Sequence, residues 1–73
     1  MFNEQIKEII SNWLTKEKYK ISIRIEVNTG AIIIVTKNGI ALTFYTDDNN
    51  IFVSYLGGSK KIGEFTNENL LEE

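Results

Sequence analysis

The sequence predicts one small α+β domain over residues 1–73: an N-terminal amphipathic helix packed on a four- to five-stranded antiparallel β-meander. Two observations predict it. Apolar residues first recur at spacings of three and four, then switch after Tyr19 to strict alternation, so the period changes from helical to extended. From there, short apolar runs are separated by clusters of Asn, Asp and Gly at hairpin spacing.

The helix is expected over residues 3–18. Phe2, Ile6, Ile9, Ile10, Trp13 and Leu14 fall on one stripe, which must be buried against another element. Asn3 can cap the first turn, with Glu4 and Glu8 near the positive end of the helix dipole. Lys16, Lys18 and Lys20 lie at or just past the negative end, where cations are favoured.

The first strand, residues 21–27, alternates Ile21, Ile23, Ile25 and Val27 with Ser22, Arg24 and Glu26. Asn28-Thr29-Gly30 reads as a three-residue loop into a second strand over 31–36. Asn38-Gly39 is the strongest two-residue hairpin signal and leads into a third strand over 40–46. Asp47-Asp48-Asn49-Asn50 turns the chain into a fourth strand over 51–56, and Gly57-Gly58 turns it into a weaker edge strand over 60–65. Residues 67–72 have the content for a helical turn or two, with Leu70 and Leu71 as its apolar residues.

Loop lengths then imply register. The three-residue loop pairs Ile25 with Ile33, the Asn38-Gly39 turn pairs Val35 with Leu42, and the 47–50 turn pairs Phe44 with Val53. Together they place Ile21, Ile23, Ile25, Val27, Ile33, Val35, Ile40, Leu42, Phe44, Ile51, Val53 and Tyr55 on one inner face beneath the helix. The outer face would carry Ser22, Arg24, Glu26 and Thr36 together with Ile32, Ile34, Tyr45, Phe52 and Leu56. A sheet covered on one side normally shows polar residues on the other, so this apolar group needs an occupant. Three are expected: the C-terminal segment through Phe65, Leu70 and Leu71, a second copy forming a homodimer, or another protein.

Composition narrows the chemistry. The chain holds no Cys and no His, so it offers no disulfide, no thiolate zinc site and no histidine base. A net charge of −2 suits neither a strongly basic nucleic-acid surface nor a heavily acidic mimic. No apolar run spans a bilayer and the N-terminus lacks the pattern of a signal peptide, so a cytoplasmic location in a bacterial host cell is expected, with no membrane partner. A chain of this size has a thin core and often relies on a partner.

Motif-like stretches reduce to turns and edges. The 47–50 run is too short for a calcium loop and has the composition of a turn. Gly57-Gly58-Ser59-Lys60-Lys61 lacks the spacing of a phosphate-binding loop, and lysines on an edge strand deter sheet aggregation. No cofactor, metal or small-molecule substrate is expected, nor is the chain expected to be an enzyme, because Ser11, Thr15, Ser22, Thr43 and Ser54 have no base to activate them.

The leading expectation is a protein-binding module whose contact surface is Arg24, Glu26, Ile32, Ile34, Tyr45 and Phe52. The alternative is a small homodimeric nucleic-acid-binding protein using Lys16, Lys18, Lys20, Lys60 and Lys61. The layout of a leading helix and short antiparallel strands in a small acidic chain is loosely similar to phage-encoded inhibitors of host or defence proteins. That likeness, at the level of fold alone, implies action by occlusion of a target.

Overall fold

The computed structural model describes residues 3–27 and 30–66. One helix, α1 (Glu4–Lys16), precedes five strands: β1 (Ile21–Val27), β2 (Ala31–Thr36), β3 (Ala41–Asp47), β4 (Asn50–Tyr55) and β5 (Gly58–Glu64). The strands form one antiparallel sheet in the order β1-β2-β3-β4-β5, a meander with β1 and β5 at its edges. Phe2 of the expected helix stripe, and the expected C-terminal turn at 67–72 with Leu70 and Leu71, lie outside the described residues.

Helix α1 starts where Asn3 supplies a side-chain acceptor: its Oδ1 takes the Ile6 N–H at 2.9 Å, satisfying one donor the first turn cannot pair internally. It ends in paired backbone bonds, Tyr19 N–H to the Leu14 carbonyl and Lys18 N–H to the Thr15 carbonyl, with Lys18 at φ 64° where glycine is usual. The helix lays Ile6, Ile10, Trp13 and Leu14 on the sheet, where they meet Ile32, Ile34, Leu42, Phe44, Ile51 and Val53 in one core. Trp13 is its aromatic centre, edge-on to Phe44 and Tyr55 and tilted against Tyr19.

Two of the three expected registers hold and one does not. Ile25 pairs with Ile33, and Phe44 with Val53, as the first and third loops imply. Between β2 and β3, however, Ile34 rather than Val35 lies opposite Leu42, and Ile32 rather than Ile33 lies opposite Phe44. The cause is the turn. Thr36 N–H bonds to the Ile40 carbonyl and Gly39 N–H to the Thr36 carbonyl, so the loop is Lys37-Asn38-Gly39, one residue longer than Asn38-Gly39 alone. Gly39, at φ 87°, closes this three-residue loop, and the Thr36 hydroxyl accepts the Ile40 N–H at 3.1 Å.

One extra loop residue reverses both strands on its N-terminal side, because side chains alternate with period two. Ile32 and Ile34 are therefore buried beneath the helix, at 2% and 1% exposure, and not on the outer face. Ile33 and Val35 move out with Ile23 and Ile25, which they pair with. The last turn also differs by one residue: Tyr55 pairs with Gly58, so Leu56-Gly57 forms the loop and Gly58 begins β5.

Candidate functional site

The register places two kinds of strand back to back. In β1 the polar residues Arg24 and Glu26 lie opposite Ile34 and Ile32 and so share the helix side of the sheet. There Glu26 stands 3.5 Å from Lys7 of α1 and 3.4 Å from Arg24. These ion pairs are largely solvated and contribute at most about 1 kcal/mol each, on the side to which the 37–39 loop turns Arg24 and Glu26. In the same stretch Ile23 and Ile25 turn away from the helix, paired with Val35 and Ile33. Ile23 and Ile25 are 51% and 47% exposed.

The outer face follows from the pairing. Ile23 lies beside Val35, which lies beside Ala41; Ile25 lies beside Ile33, Thr43, Ser54 and Ser59 in turn. Further along β3 and β4, Tyr45 stacks on Phe52 with ring centroids 5.5 Å apart, and the Tyr45 hydroxyl is hydrogen-bonded to the Ser59 hydroxyl. Lys61 stands opposite Phe52 on β5. The face thus has an aliphatic half on β1 and β2, an aromatic pair on β3 and β4, and a hydroxyl-bearing row between β3 and β5.

Of the expected protein-contact residues, Tyr45 and Phe52 are on this outer face. Ile32 and Ile34 are core residues, and Arg24 and Glu26 rim the opposite side. Sequence reasoning missed Ile23, Ile25, Ile33 and Val35 as outer residues. Amphipathic alternation marks which residues share a face of β1, but it assigns that face to the core by default, and here the loop length overrides the default. Phe65 packs against the helix-side core, its N–H bonded to the Asn49 carbonyl, while the Thr66 N–H reaches Gln5 of α1. Through residue 66 the chain therefore runs along the helix side, not across the outer face.

The lysines expected to hold nucleic acid separate into groups. Lys18 and Lys20 line a shallow groove with Tyr19, Thr36 and Lys37, a lysine the sequence reading had not grouped with them. Lys16 borders a different groove with Ile9, Asn12, Trp13 and Ile62. Lys60 and Lys61 lie on β5, at the sheet edge remote from β1, and as neighbours in a strand they point to opposite faces. Lys61 is engaged by Glu64 at 2.6 Å, and this hydrogen bond and the lysine's charge hold the Glu64 carboxyl below its ordinary range.

Among the described residues no group of three or more acidic side chains is placed to hold a metal ion, and no helix is long and apolar enough to cross a membrane. Compared with family models, with curated proteins and with solved structures, the chain matches none.

Proposed function

We propose that this protein is a non-enzymatic protein-binding module that acts by occluding a partner's surface, and that its contact surface is the outer sheet face. One observation carries the reading: β1 presents Ile23 and Ile25 to solvent while turning Arg24 and Glu26 toward the helix side. A strand that inverts its own amphipathic pattern exposes apolar area that a free-standing monomer gains nothing by exposing. Contiguous exposed apolar area on a small protein usually marks an interaction site. The stacked pair Tyr45 and Phe52 adds the aromatic content that dominates binding energy at such surfaces.

The experiment is capture from nuclease-treated lysate of the source cell, with wild type, Phe52→Lys and Ile33→Lys as baits, each first checked for folding by circular dichroism. The reading expects a protein retained by wild type at both low and high salt and lost with either substitution. Retention unaffected by both substitutions would move the contact off this face. Retention only before nuclease treatment, falling steeply with salt, would instead favour nucleic-acid binding through the Lys18, Lys20 and Lys37 groove.

A further inference from the structure

We propose that two copies of this chain join edge to edge through β1, antiparallel, with Ile25 on the two-fold axis. The inference shares Ile23 and Ile25 with the outer face described above, but it concerns the strand edge and is read by mass, so it stands or falls apart from any other partner.

Among the described residues, β1 is the less protected edge of the sheet. It is seven residues long without Gly or Pro, its one register shift against β2 lies between Ile21 and Ile23, outside the regular stretch 23–27, and as an edge strand it leaves alternate N–H and carbonyl groups facing outward. The other edge, β5, is guarded. It carries the adjacent lysines Lys60 and Lys61, glycines at 58 and 63, and a register shift against β4 between Ile51 and Phe52, all features that discourage strand addition.

The sequence of β1 is complementary to itself in one antiparallel register. With Ile25 facing Ile25 of the second copy, Arg24 faces Glu26 of the second copy, Glu26 faces its Arg24, and Ile23 faces its Val27. Moving the axis one residue either way sets Arg24 against Arg24 or Glu26 against Glu26, and like charges directly opposite are destabilising. The charges therefore select a register as well as permitting one. The axis is perpendicular to the sheet, so both outer faces lie on the same side, and Ile23, Ile25 and Val27 of the two copies form one apolar strip. A β1-to-β5 junction would repeat without closing, whereas the two-fold junction ends with the dimer.

The test is sedimentation equilibrium of wild type, Arg24→Glu, Glu26→Arg and the double swap Arg24→Glu/Glu26→Arg, all confirmed folded by circular dichroism. Wild type is expected to be a concentration-dependent dimer. Each single substitution places like charges opposite each other and is expected to weaken association roughly tenfold or more. The double swap restores complementarity, and so does an equimolar mixture of the two single variants, which should form a mixed dimer. A monomeric wild type at the highest concentrations NMR samples reach would overturn the proposal. So would a dimer that the single substitutions leave intact, or single variants that weaken association but are not rescued on mixing.

Discussion

Gly63 of β5 lies directly beneath Ile9 of α1: a Cβ added at Gly63 would stand 2.8 Å from the Ile9 Cγ2 methyl. The absent side chain is what lets the helix approach the sheet this closely, and Ile9 is β-branched, so its methyl has little freedom to move aside. Gly63→Ala is expected to lower stability by about 1–3 kcal/mol through overpacking. Ile9→Ala in the same chain should recover part of the loss, giving a coupling in a double-mutant cycle measured by urea unfolding. Purely additive losses would mean that the two residues do not press on each other.

Leu56 and Gly57 both have positive φ, at 50° and 80°, as the two central residues of a type I′ hairpin turn do. Leu56 is also 81% exposed, so it carries backbone strain with no burial to offset it. Leu56→Asn creates the preferred Asn-Gly turn and should raise stability by about 0.5–1 kcal/mol. A denaturation midpoint that falls instead would show that Leu56 makes a contact worth more than the strain.

Ile34 and Ile23 are two isoleucines of the same sheet with opposite surroundings, one sealed by the helix and the other half open. Ile34→Ala should cost about 2–5 kcal/mol, as truncation at a well-packed core position does. Ile23→Ala in the monomer should cost about 1 kcal/mol, since only about half of its area leaves water on folding. Equal losses at the two sites, measured by thermal or urea unfolding at a concentration where the chain is monomeric, would contradict the register.

Asn3 supplies the only side-chain cap that the described part of α1 receives at its first turn. Asn3→Ala should lower stability by about 1 kcal/mol, and Asn3→Ser should restore most of it. The helical signal in circular dichroism near the unfolding midpoint is the readout.

Glu64 titrates below its ordinary value of 4.5 because Lys61 hydrogen-bonds and attracts its carboxylate. A carboxylate whose folded pKa is depressed adds stability that is fully present above the unfolded value and is lost as pH falls through the folded one. The pair is solvent-exposed, so its effect on overall stability is small. The cleaner check is the carboxyl NMR titration of Glu64, whose midpoint should rise when Lys61→Met removes the partner. An unmoved midpoint would assign the shift elsewhere.

Most of the fold was legible in the sequence because its signals are local. Asn3, the helical stripe from Ile6 to Leu14 and the turn residues each act within a few positions of themselves, and each element lies where they point. The faces of β1 and β2 were not legible, for a specific reason. Residues 31–35 read Ala-Ile-Ile-Ile-Val, apolar on both sides, so β2 fits the core in either parity and cannot correct a misjudged loop. The deciding bond pair runs from Thr36 to Ile40, across a loop whose Asn-Gly dipeptide belongs equally well to a two-residue or a three-residue turn. Tyr45 and Phe52 were identified as outer residues because β3 and β4 lie beyond that loop and keep the parity expected of them. The same loop puts the remaining expected contact residues, Arg24, Glu26, Ile32 and Ile34, on the helix side of the sheet.

The loop Lys37-Asn38-Gly39 thus behaves like a reading frame for half of the sheet. In most hairpins, gaining or losing one tip residue is among the mildest changes a protein can undergo. Here it would exchange the inside and outside of two strands without altering a single residue in either, trading Ile32 and Ile34 for Ile33 and Val35 in the core. The length of this loop is therefore tied to the identity of the surface the protein shows to others.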